Sequence, residues 1–157
     1  MLQKIILTCA TRSLGIRVAR QLDEKFAVLQ ATSDDIPTVI ATNYLKIPKA
    51  KNPVFAHELL KLALDTESQY ILPLDIDEVR VLSQSKVLFD EYGITIVCPS
   101  IQQLETMDIL PNPPKEMSIG LYYGGRDLLS NESLTHEFSG LGYVSDSGED
   151  FILAISK

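Results

Sequence analysis

The chain has 157 residues, of which 45% are hydrophobic and 22% charged, a balance that excludes a disordered or collagen-like protein and, at this length, a large multidomain enzyme. Its 14 basic and 21 acidic side chains give a net charge of −7, and no local Lys/Arg cluster offsets it. A nucleic-acid backbone or an anionic membrane is therefore not the expected partner.

Lys4-Ile5-Ile6-Leu7-Thr8-Cys9 is a short apolar run rich in β-branched residues, the pattern of a strand buried on both faces. Ser13 stands where a helix cap is expected, and Leu14, Val18 and Leu22 recur on one helical face, with Arg17, Arg20, Asp23 and Glu24 left for solvent. Phe26-Ala27-Val28-Leu29-Gln30-Ala31 predicts a second strand, and Thr38-Val39-Ile40-Ala41 a short third extended piece after Pro37. Asn52-Pro53 opens a helix, with Asn52 as cap, Pro53 in its first position, and Phe55, Leu59, Leu62 and Ala63 as its core face.

Tyr70-Ile71-Leu72-Pro73-Leu74 is the next strand, followed by a helix that Asp77 would cap and that runs through Val79, Leu82 and Phe89 to Gly93. Ile94-Thr95-Ile96-Val97-Cys98 forms a further strand. Ser100 with Gln103 has capping-box spacing, so a short helix is expected to about Asp108. Strands alternating with helices, and apolar throughout, predict an α/β fold: a Rossmann-like, mostly parallel sheet with helices on both faces, over residues 1–110.

Pro111-Asn112-Pro113-Pro114 interrupts that pattern and reads as a linker, because proline lacks the amide donor and restricts the residue before it. The 43 residues from 115 to 157 form a small α+β appendage, rich in strand signals. It holds a strand Met117–Tyr123 ending at Gly124-Gly125, a short helix around Leu134 and Phe138 closed by Gly140, and a hairpin of Tyr143-Val144 with Phe151–Ile155.

The apolar runs are too short for a transmembrane helix, and the N-terminal one is too short for a signal peptide. Cys9 and Cys98 have no second Cys at metal spacing and read as buried thiols in a reducing cytoplasm. His57 and His136 have no ligand-spaced neighbours, so neither a metal site nor a catalytic triad is expected.

Open parallel sheets bind ligands at the carboxyl ends of their strands, which directs attention to two turns. The first, Thr8-Cys9-Ala10-Thr11-Arg12-Ser13-Leu14-Gly15, leads into a helix N-terminus, where backbone N–H groups and the helix dipole favour anions. Thr8, Thr11, Arg12 and Ser13 are its candidate ligand-binding residues. The turn resembles the nucleotide loop of short-chain dehydrogenases, Thr-Gly-x-x-x-Gly-x-Gly, with Cys9 and Ser13 at two of the three glycine positions and only Gly15 retained. That family's Tyr-x-x-x-Lys pair is absent.

The second turn, Pro73-Leu74-Asp75-Ile76-Asp77-Glu78, sets three carboxylates within four residues. Such a group suits Mg²⁺ or a substrate amine or hydroxyl. With Asp77 and Glu78 favoured at the helix start by capping and the dipole, Asp75 is the preferred ligand group and Asp77 the second. Arg126, after Tyr122-Tyr123-Gly124-Gly125, is a further candidate for a carboxylate partner, and would share a site if it converged with Thr11, Arg12 and Asp75.

Residues 3 to about 108 resemble the pre-ATP-grasp domain, the Rossmann-like N-terminal domain of carbamoyl phosphate synthase large chains and related ATP-grasp ligases. The resemblance rests on the strand-turn-helix Lys4–Leu22, the segment Ala41-Thr42-Asn43-Tyr44-Leu45-Lys46-Ile47-Pro48, the strand and acidic turn Tyr70–Glu78, and the run Leu88–Ser100, in that order. In the family an Asp-Lys pair then leads into the ATP-binding lobes, whereas here Asp108 is followed by Ile109 and the proline linker.

With 43 residues in place of the lobes, the resemblance implies a non-catalytic module that binds a small ligand or a partner chain, with no cofactor assigned. Two alternatives stay open. One is a subunit of a split ligase completed by a separate ATP-grasp chain, and the other a small enzyme using a nucleotide at the Thr8–Gly15 turn. Edge pairing of the appendage would also allow a homodimer.

Overall fold

In a computed structural model, which describes residues 2–157, Ile5, Ile6 and Leu7 are wholly buried. A strand without a solvent face belongs inside a covered sheet, and β1 (Gln3–Leu7) is the middle strand of one. Its companions are β2 (Phe26–Thr32), β3 (Leu45–Lys46), β4 (Tyr70–Leu72) and β5 (Thr95–Ile96), in the order β3-β2-β1-β4-β5, with every neighbouring pair parallel. The chain therefore builds outward from β1 on one side, then returns to add β4 and β5 on the other. That reversal leaves a crevice above the carboxyl ends of β1 and β4.

The helices are α1 (Ser13–Leu22), α2 (Thr38–Ala41), α3 (Phe55–Asp65), α4 (Ile76–Ser83), α5 (Lys86–Glu91) and α6 (Ile101–Thr106). Successive strand residues point to opposite faces, and the core divides accordingly. Ile5 and Leu7 pack with Leu14, Val18 and Leu22 of α1. Ile6, Ile71 and Ile96 pack with Phe55 and Leu59 of α3, Val79 and Leu82 of α4, and Phe89 of α5.

The α1 face is completed by a second sheet rather than by another helix. Its strands are β6 (Asp108–Pro111), β7 (Gly120–Tyr123), β8 (Arg126–Asp127), β9 (Gly140–Val144) and β10 (Phe151–Ile155), in the order β6-β10-β9-β7-β8, antiparallel except for the β10–β6 pair. Ile119, Leu121, Leu141 and Ala154 share one cluster with Leu72, Leu74 and Val97, while Phe151, Leu153 and Ile155 join the α3–α5 side. Arg17 of α1 clamps the connection, its guanidinium donating to the carbonyls of Pro113 (3.2 Å), Pro114 (3.1 Å) and Met117. The Ser156 amide donates to the Leu74 carbonyl at 2.7 Å, so the end of β10 is bonded to the turn that follows β4.

Several local expectations change. Residues 38–41 form the single turn α2 rather than a strand, with Val39 87% exposed. β-Branched residues favour strands through cross-strand packing, and this segment has no partner strand, so that preference has nothing to act on. The third strand is Leu45–Lys46 instead, paired with Ala31 and Thr32.

α3 begins at Phe55, and Asn52 holds the preceding turn by accepting from the Val54 amide at 3.1 Å. The long helix expected up to Gly93 is two helices. At the break the Ser83 hydroxyl donates to the Arg80 carbonyl and the Ser85 hydroxyl to the Val81 carbonyl, the local bonding by which serine competes with helix continuation. The helix expected to reach Asp108 ends at Thr106, although Ser100 and Gln103 form the reciprocal capping box.

Asp108–Pro111 becomes edge strand β6, where a proline is tolerated, so the linker's first proline lies in the second sheet. Leu134–Phe138 is not helical. The Leu134 amide donates to the Gly125 carbonyl, the Gly125 amide to the Phe138 carbonyl, and the Phe138 ring stacks on Phe151 at 5.0 Å.

The cap of α4 also moves. Asp75, not Asp77, is the N-cap, its Oδ2 accepting from the amides of Asp77 (3.1 Å) and Glu78 (3.3 Å). Asp75→Ala should therefore lower stability by about 1 kcal/mol, and Asp77→Ala by a few tenths at most. Urea denaturation of the two variants in parallel distinguishes them.

Candidate functional site

The turn after β1 leads directly into the N-terminus of α1. Cys9 has φ +53°, a left-handed conformation that costs a non-glycine residue free energy. The Arg12 amide donates to the Cys9 carbonyl at 3.0 Å, and the Ala10 amide to the Ala31 carbonyl at 3.1 Å. Thr8 is buried, with its hydroxyl accepting from the Leu74 amide at 2.9 Å, so it ties the two turns together behind the crevice. Ser13 is exposed in the first turn of α1 and caps nothing, the N-cap residue being Arg12.

In front of these turns lies a cleft of about 210 Å³, lined by Arg12, Ser33, Asp34, Lys49, Ala50, Lys51, Asp75, Asp77 and Glu78. Arg12 spans it. Its Nε and Nη2 donate to the two carboxylate oxygens of Asp34 at 3.0 Å each, the fork geometry that makes arginine–carboxylate pairs strong. Its Nη1 lies 3.9 Å from Asp75 Oδ1.

The hydrogen bond from Arg12 holds the Asp34 carboxyl below the usual aspartate range. Thr11 donates to the same carboxylate at 3.4 Å, and Thr32 Oγ1 accepts from the Asp34 amide at 3.0 Å. Asp34 thus sits just beyond β2, fastened from three sides.

Glu78 is the buried member of the acidic turn, only 2% exposed. Burial pushes its carboxyl up to about 7, the Asp75 charge adding to the rise while the Thr8 hydroxyl and Arg12 oppose it. Cys9 Sγ lies 3.9 Å from Glu78 Oε1, a thiol being a weak donor. Burial, reinforced by Glu78, pushes the Cys9 thiol up to about 12, which makes it a poor nucleophile at neutral pH.

The structure therefore brings Arg12, Asp75 and Asp77 to one cleft, with Thr11 reaching it through Asp34. It leaves Thr8 behind the cleft and Ser13 outside its lining. Arg126 does not join them: it lies in the second sheet, bonded to Asn131 Oδ1 at 2.9 Å. Among the described residues no group of three His, Cys, Asp or Glu side chains is placed to hold a metal ion. Nor is any helix there long and apolar enough to cross a membrane.

Sequence reasoning missed Asp34, Glu78, Lys49 and Lys51. Asp34 carried a usable signal, since an acidic residue just past the second strand is where such folds approach a ribose. The burial of Glu78 has no signature in the chain, because three adjacent acids give no hint of which one turns inward. No protein-family model matches the chain, and neither does any curated protein.

Proposed function

We propose that this chain is a non-catalytic α/β binding module, built like the pre-ATP-grasp domain that residues 3–108 resemble, and that its switch-point cleft holds a small polar ligand. The observation that carries the reading is the Arg12–Asp34 fork. The cation that would meet a phosphate and the carboxylate that would meet a ribose are bonded to each other. A nucleotide entering here has to break two charge-assisted hydrogen bonds before making its own. The protonated Cys9 thiol beside the cleft supports binding rather than nucleophilic chemistry. Two buried free thiols, Cys9 and Cys98, fit a reducing cytoplasm.

Thermal denaturation with Mg·ATP, NAD and NADP at millimolar concentration tests this. A nucleotide present at one hundred times its Kd would add roughly 2.7 kcal/mol of stability, and no such shift is expected. Hydrolysis of ATP by the purified chain in the presence of carboxylic acids or amines would overturn the non-catalytic reading. ATP-dependent ligation appearing only with a separate ATP-grasp chain would replace it with the split-ligase one.

A further inference from the structure

This inference rests on the cleft being a binding site, and asks what chemistry its remaining groups recognise. Arg12 is neutralised by Asp34 and flanked by Asp75, so the unspent charge lies elsewhere. On one wall, Lys49 and Lys51 are exposed on the segment between β3 and α3, and among the described residues neither has an ion-pair partner.

On the opposite wall is the α4 turn. Glu78 lines the cleft while 98% of its surface is covered, and its carboxyl is met by the Cys9 thiol at 3.9 Å and by the Thr8 hydroxyl. Asp75 has spent Oδ2 on the helix cap, while its Oδ1 is 3.9 Å from Arg12, beyond hydrogen-bonding distance. A carboxylate has about four acceptor sites, so one held by a thiol and a hydroxyl keeps capacity for a charged donor.

We propose that the cleft takes a small zwitterion of α-amino-acid size, its carboxylate toward Lys49 and Lys51 and its ammonium toward Glu78 and Asp75. A lone anion would satisfy the lysines but face the carboxylates, and a lone cation would do the reverse. The volume of about 210 Å³ is below the usual range for drug-sized ligands, which favours a small metabolite over a nucleotide.

The ionisation of Glu78 supplies an independent readout. It is faced by Thr8 and Cys9 from the turn after β1, by Arg12 before α1 and by Asp75 before α4. Its carboxyl, protonated below about 7, must ionise to pair with an ammonium, so binding tightens as pH rises through that value.

The test is calorimetric titration of the full chain with the common L-α-amino acids singly, and then, for the tightest, with its deaminated and decarboxylated analogues. At least one amino acid should bind, with both analogues roughly tenfold weaker or more. Glu78→Gln, checked for folding by circular dichroism, should weaken binding and abolish its rise with pH. The exposed double variant Lys49→Met/Lys51→Met should weaken it with the pH dependence intact.

Equal binding of the analogues, or an affinity indifferent to pH, would overturn the zwitterion assignment. Binding of inorganic phosphate or a nucleotide at the cleft, with no amino acid bound, would also overturn it while leaving the cleft a binding site. Failure of every probe would count against both readings.

Discussion

Glu78→Gln should gain up to about 3 kcal/mol of stability relative to the parent protein between about pH 4 and about pH 8. In the folded chain the carboxyl is raised to about 7 from an ordinary 4.5, chiefly by burial. Between those values the native state keeps a proton that the unfolded chain has released. The parent's stability therefore falls as pH rises through this window and levels off above it.

The near-isosteric amide has no proton to lose, so its curve stays flat there and the two separate progressively. Asp34 acts with the opposite sign in a different window: its folded carboxyl is depressed by Arg12, so its contribution is complete above its ordinary 3.8 and is lost only as pH falls below that. Urea denaturation across the pH range, on parent and variant, reads both effects. Parallel curves above pH 4.5 would show Glu78 to be solvated rather than buried.

Gly15→Ala should destabilise the protein by about 3 kcal/mol, although alanine is worth nearly 1 kcal/mol more than glycine in an ordinary helix interior. A Cβ at this position would overlap the Cys9 carbonyl oxygen and come within 2.9 Å of Ala10 Cα. Both obstacles are backbone atoms of the β1–α1 turn, with no rotamer to give way. The turn is itself pinned by Ala10 to Ala31 and by Thr8 to Leu72 and Leu74. Relief requires α1 to lift from the sheet, which withdraws Leu14, Val18 and Leu22 from their cluster. Equilibrium denaturation measures the loss, and a stabilised variant would mean that the close approach is absent.

Gly15 was legible as the retained glycine of a nucleotide loop, and the structure gives that glycine a packing role. Much else of the first sheet was legible for a similar reason: a strand covered on both faces has to be apolar where it is covered, and Ile5–Leu7 and Ile71–Leu74 are. Where the expectation failed, tertiary context decided. Thr38–Ala41 has strand-forming residues and no strand beside it, and Pro111 closes an edge strand whose partner, Ile155, lies 44 residues further on.

The candidate site was legible only in part. Arg12 and Asp75 follow directly from strand-end position. Asp34, Lys49 and Lys51 belong to other loops, and only the parallel pairing of β2 and β3 beside β1 brings those loops to the same end of the sheet. The exchange of roles between Asp75 and Asp77 follows from where α4 starts, a boundary that the run of acids leaves undetermined.

The place of β10 has a kinetic consequence. It follows every other strand in sequence yet lies between two of them, β6 and β9. During synthesis the second sheet cannot close until residues 151–155 have left the ribosome, and until then Leu72, Leu74 and Val97 lack Ala154, one of the residues that cover them. Domains dominated by contacts distant in sequence fold slowly, and uncovered apolar surface in the interval promotes aggregation. The first sheet can assemble early, whereas the order β6-β10-β9 leaves β6 without a partner strand until β10 is available.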